Sequence, residues 1–144
     1  MQSLSQTAQP HENQISFLVI GAAMTVHKEL GPGLLESVYE KCLGLELLEC
    51  GLSVQRQVPI PIKYRDLVLE EGFRADLIVE DRILVELKSV QEILPIHTAQ
   101  CISYLRMTGL NLCLLINFNV EVPKKGFRRL RYDTERLKPQ IETL

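Results

Sequence analysis

Asp76, Glu86 and Lys88 stand in one stretch, FRADLIVEDRILVELKS, where two acids and an amine interrupt runs of apolar, β-forming residues. Side chains alternate faces along a strand, so Glu86 and Lys88 point one way while Val85 and Leu87 point the other. Residues opposite each other in an antiparallel pair share a face. If Glu80-Asp81-Arg82 is a three-residue loop, Val79 pairs with Ile83 and Asp76 falls opposite Glu86. A two-residue loop without a bulge puts Asp76 on the wrong face. Two carboxylates and an ammonium group gathered on one spot suit a hard divalent cation such as magnesium, which prefers oxygen ligands. The cation acidifies its bound water and neutralises charge that builds on a phosphate. A lysine beside it orients the attacking water and stabilises the negative transition state. Phosphodiester hydrolysis needs both services.

The plain alternative is a solvated ion pair on a sheet surface, since E-x-K arises by chance and such pairs are worth little. Against it, Leu84, Val85 and Leu87 make this strand apolar, and charges in such a strand are costly unless something pairs with them. Glu36 lies in the first turn of a helix, where the helix dipole alone favours an acid. It also stands between Leu35 and Val38 on a helix expected to be well buried, placed to reach the metal from the side. Gln100 and Tyr104 in QCISY are one helical turn apart and share a face, with His97 a turn earlier; such a stripe is ordinarily solvated surface. His27 reads by default as a core or dipole-compatible histidine rather than a ligand. Lys124, Lys125, Arg128, Arg129 and Arg131 crowd into KKGFRRLR, either a charged edge strand that discourages aggregation or a contact to phosphates.

The elements that must position these residues follow from spacing. From Ile15 the apolar residues Leu18, Val19, Ala22, Val26 and Leu30 mark a helix face, stopped by Gly31-Pro32-Gly33. A second helix is expected over 34–50, capped by Gly51. Then the period changes to strands over 53–58 and 60–64, interrupted by Pro59 and placed at a sheet edge. Strands over 73–79 and 83–88 form the hairpin that carries the acids. A third helix spans 95–107, opened by Pro95 and closed by Gly109. LCLLINF reads as a central strand covered on both faces, and 127–132 as a last, basic strand.

The 144 residues, 46% of them hydrophobic, suit a single domain with an ordinary core, expected over 14–144 behind a flexible lead-in, 1–13. Four cysteines without a CxxC pair point to free thiols in a reducing cytoplasm rather than a zinc site. No apolar stretch approaches the ~20 residues that cross a bilayer, and the first residues lack the pattern of a signal peptide. A net charge of −2 argues against a protein that coats nucleic acid by charge alone.

VHKELGPGLLESVYEKCL, GFRADLIVEDRILVELKSV, HTAQCISYLRMTGLNLCLLINF and GFRRLR together resemble the GxxExxY protein family, which is assigned to the PD-(D/E)XK nuclease superfamily. The naming motif stands as Gly33, Glu36 and Tyr39, and the likeness runs from about Ile15 to Tyr132. It implies an α/β fold, a restriction-endonuclease-like mixed β-sheet of about four core strands flanked by α-helices. It further implies a catalytic set of Asp76, Glu86 and Lys88, with magnesium or manganese on Asp76, Glu86 and Glu36. Gln100 and Tyr104 match the QxxxY motif of RecB-like nucleases, where the pair orients the lysine or the DNA backbone. The implied partner is nucleic acid, DNA rather than RNA, with room for a second copy or a protein partner and no membrane. A nuclease-fold module that binds nucleic acid or protein without turnover is the competing expectation, and a structural protein with surface acids is a third.

Overall fold

The two runs ILVELK and LCLLIN are apolar on both faces because both faces are covered. In the computed structural model, which describes residues 4–133 and 138–143, they form the centre of a six-stranded mixed sheet. Strands β1 (Val54–Tyr64), β2 (Leu67–Val79), β3 (Ile83–Lys88), β4 (Leu112–Asn117), β5 (Phe127–Asp133) and β6 (Lys138–Thr143) lie side by side in chain order. All neighbours are antiparallel except β3 and β4, which run parallel from Ile83↔Leu112 to Lys88↔Asn117. A parallel pair needs a crossover, and helix α3 (Pro95–Thr108) supplies it. Gly109, at φ +74, ends that helix in the left-handed conformation that lacks steric cost only in glycine.

Helices α1 (Leu4–Leu30) and α2 (Glu36–Glu49) cover one face of the sheet and α3 the other. Ile15, Val19, Ala23 and Val26 of α1 meet Tyr39, Leu43 and Leu47 of α2 over Leu77, Val85, Leu87 and Leu114. On the far face Cys101, Tyr104 and Leu105 of α3 pack on Ile60, Ile78, Leu84, Cys113 and Leu130. None of the described helices is long and apolar enough to cross a membrane.

Several expectations change. The mixed sheet flanked by helices is as expected, and it extends beyond about four core strands to six. Pro59 does not split β1, which pairs with β2 on both sides of it (Val58↔Ala75, Ile60↔Phe73), and β2 begins six residues before Phe73. Strand β6 was not expected. The lead-in, 1–13, is helical from Leu4 onward, while residues 1–3 lie outside the described residues; Glu12, within it, is 6% exposed and ion-paired to Arg131 at 2.7 Å. Helix α2 is less buried than its composition suggested, with Leu45 and Leu48 exposed. Of the four thiols, Cys101 and Cys113 are buried, Cys42 is half-buried and Cys50 exposed.

Candidate active site

The hairpin closes as the spacing requires. Val79 pairs with Ile83, leaving Glu80-Asp81-Arg82 as the loop. Glu80 and Asp81 both take positive φ, the mirror-type turn that follows strand twist, and Arg82 N donates to Val79 O at 3.0 Å. The Glu80 carboxylate accepts from both Ser53 N (2.8 Å) and Ser53 Oγ (2.6 Å), which anchors the turn to the start of β1.

The register runs Val79↔Ile83, Ile78↔Leu84, Leu77↔Val85 and then stops. At the next level the strands part and each carboxylate takes the backbone amide of the opposite strand. Glu86 Oε1 accepts from Asp76 N at 3.0 Å, and Asp76 Oδ2 accepts from Leu87 N at 2.8 Å. One oxygen of each acid is thereby oriented by the main chain. The two acids meet through this exchange at the point where the ladder ends.

Burial makes the pair unusual. Glu86 is 4% exposed, and desolvation followed by the charge of Asp76 pushes its carboxyl up to about 8. Desolvation likewise raises Asp76, against the pull of the Leu87 amide, and the negative charges of Glu40 and Glu36 add to the rise. Lys88 counters both acids. Among the described residues Lys88 makes no ion pair within 4 Å. The site is therefore short of positive charge, which is the condition a divalent cation relieves. The donors fit such an ion in type, two oriented carboxylates in a desolvated corner. Among the described residues no three acidic, histidine or cysteine side chains are already gathered as a cage.

Glu36 is held at the rim. Its carboxylate accepts a long bond from Ser89 N (3.4 Å), and Ser89 Oγ donates to Leu34 O (2.6 Å), so the residue after Lys88 is fastened to the start of α2. Gly33 and Tyr39 explain why that helix begins there. Gly33 sits at φ +97, and Tyr39 Oη donates to Gly31 O (2.5 Å), accepts from Leu34 N (3.1 Å) and stacks on Phe118 at 4.3 Å. Two residues of the G-x-x-E-x-x-Y spacing thus position the third.

From the other face, Tyr104 is buried edge-on against Phe73 at 4.6 Å, its hydroxyl held protonated to higher pH by burial and by the charge of Glu86. Gln100, one turn earlier, is half-buried. His97 instead closes its own helix, Nδ1 accepting from Leu94 N at 2.9 Å. His27 bonds through Nε2 to Val120 O at 2.6 Å, away from the acids. The basic cluster divides. Lys124 and Lys125 are exposed in the short turn Pro123–Gly126, at the same end of the sheet as Lys88. Arg129 and Arg131 point to α1, where Arg129 donates to Ser16 Oγ at 2.8 Å and Arg131 pairs with Glu12. Those two arginines are engaged inside the fold and do not form a surface patch.

Three polar residues of the site escaped the sequence reading. Glu40, 5% exposed, accepts from Arg56 at 3.0 Å and from Gln57 Nε2; its signal was its place one turn after Glu36, on the same helix face. Gln57 also reaches Asp76 Oδ1 at 3.4 Å. Buried Asn117 fastens the chain after Lys88, exchanging bonds with Val90 N (3.1 Å) and Val90 O (2.9 Å), and its signal was a polar residue ending the apolar run LCLLI.

Comparison with known proteins gives one result. A family model described as PD-(D/E)XK nuclease superfamily matches residues 13–130, a span that holds every acid described above except Glu12. No curated protein and no solved structure matches the chain.

Proposed function

The chain belongs to the PD-(D/E)XK nuclease superfamily, and from that premise we propose that it hydrolyses phosphodiester bonds of nucleic acid, DNA rather than RNA. The observation that carries the reading is the Asp76–Glu86 pair where the β2–β3 ladder ends: each acid accepts a main-chain amide of the opposite strand, Glu86 is buried and Asp76 half-buried, and desolvation raises the pKa of both. We place the chain in the GxxExxY branch on Gly33, Glu36 and Tyr39, and read Gln100 and Tyr104 as its QxxxY pair.

Asp76 and Glu86 would hold magnesium or manganese, with Glu36 closing the shell from the rim. Such an ion, when bound, supplies Lewis acidity toward water and phosphate oxygen. The protein's own part is positional. The Leu87 and Asp76 amides aim one oxygen of each acid, and the second oxygen of each would be the one offered to a cation. Lys88 donates to the attacking water and to the oxygen on which charge develops. Gln100 and Tyr104 orient Lys88 and the strand from the α3 side. Lys124, Lys125 and Arg128 contact the phosphate backbone, while Arg129 and Arg131 stay with α1.

The test is cleavage of single- and double-stranded DNA and of RNA by purified protein with magnesium, with manganese, and with chelator. Metal-dependent cutting that disappears in Lys88→Ala supports the reading. Salt-sensitive DNA binding without cutting under either metal would replace it with the binding module.

A further inference from the structure

The level of the sheet that carries Asp76 is irregular in two strands at once. β1 and β2 pair at Arg56↔Leu77 and again at Val58↔Ala75, but not at Gln57 and Asp76 between them. Gln57 has φ +50, a left-handed conformation that glycine adopts freely and glutamine does not. Facing switches at the same level. Val54 packs with the α1–α2 layer and Val58 with the α3 layer, though regular alternation would place them on one face. Leu77 and Ala75 divide in the same way.

The strained residue is the one whose side chain joins the acids. Gln57 Nε2 donates to Glu40 Oε1 and to Asp76 Oδ1. Glu40 is buried, and its second oxygen is taken by Arg56, the neighbour of Gln57. We propose that Gln57 is a positioning residue that holds the Asp76 carboxylate for a divalent cation, and that Glu40 and Arg56 hold Gln57 in turn. The inference rests on the nuclease reading given above. An amide suits this place chemically. It donates a hydrogen bond to Asp76 while adding no charge, where lysine or arginine would neutralise the acid that a cation needs. The Gln57 contact, at 3.4 Å, is longer than the 2.8 Å bond from Leu87 N, so Asp76 Oδ1 is steered yet open to a ligand bond. Were the position only structural, glycine would serve its backbone better.

The experiment uses the full chain with Gln57→Gly, and Gln57→Met as the variant that keeps side-chain bulk without a donor. Manganese affinity is read by calorimetry, melting temperature without metal, and kcat and KM on DNA. Gln57→Gly should melt at or above the wild-type temperature, bind manganese about tenfold more weakly, and lose kcat by a similar factor with KM for DNA unchanged. Gln57→Met, should glycine fail to fold, should show the same loss of metal affinity. Wild-type manganese affinity and kcat in either variant overturn the proposal. A wild type that neither binds manganese nor cuts DNA defeats the nuclease reading by itself. A metal-free crystal structure of Gln57→Gly then decides the present inference: an Asp76 carboxylate that leaves Leu87 N supports it, and one that stays there overturns it.

Discussion

Strands β3 and β5 both carry charge into the middle of this sheet, and they resolve it in opposite ways. On β5, Arg131 meets buried Glu12 at 2.7 Å, so helix α1 supplies its counter-charge, while Arg129 is tied to the same helix through the neutral hydroxyl of Ser16 at 2.8 Å. On β3, Glu86 is equally buried, but the charge that acts on it most is that of another acid, Asp76, and desolvation with that charge raises its carboxyl to about 8. Compensated charge reads as architecture. Charge that the fold concentrates and leaves short of a partner reads as a place kept for something from outside. From sequence alone the arginine-rich strand looked like the contact surface; the contrast reverses that emphasis for two of its five basic residues.

Four changes break or sharpen the contrast. The largest effect belongs to β3: Lys88→Ala should lower cleavage of DNA at least about 100-fold, by loss of transition-state stabilisation, with unchanged circular dichroism. On β5, Arg131→Ala should lower the unfolding free energy by about 2–4 kcal/mol in urea titration, because Glu12 is left buried without its cation. Turnover per folded molecule should be unaffected.

The third concerns pH. The folded state keeps a proton on the Asp76–Glu86 pair to higher pH than the unfolded chain does, so deprotonation works against folding. In chelated protein the pair's contribution to stability should be complete below the ordinary glutamate value of 4.5 and fall away as pH rises toward about 8, read as a loss of melting temperature across that window. Glu86→Gln should flatten that decline, and manganese should abolish it in the wild type only. A decline of equal size in Glu86→Gln would assign the effect elsewhere. The smallest effect is expected at the surface. Lys124→Ala with Lys125→Ala should weaken DNA binding by less than about tenfold and reduce the slope of log affinity against log salt by about 2.

The central hairpin was legible because its information is local. Three turn-forming residues between two β-rich runs set the register from Val79↔Ile83 to Leu77↔Val85, which brings the chain to the level just before Asp76 and Glu86. The glycines and proline between α1 and α2 marked a helix break for the same reason. What was not legible depends on partners distant in the chain. The polar segment before Ile15 has no apolar stripe, yet its Glu12 is tied to a residue of β5 more than a hundred positions away. Glu40 drew no notice in the sequence, because the residues that hold it, Arg56 and Gln57, come to it from β1. The exchange of amides between Asp76 and Glu86 lay deeper still. Alternation of faces assumes an unbroken ladder, and the acids meet where the ladder fails.

Anomalous diffraction from a crystal soaked in manganese tests the central claim most directly. A manganese peak bonded to one oxygen of Asp76 and one of Glu86, absent from Glu86→Gln crystals, is the predicted result. A wild-type crystal with no peak between these two carboxylates, at manganese concentrations that support DNA cleavage, would contradict it.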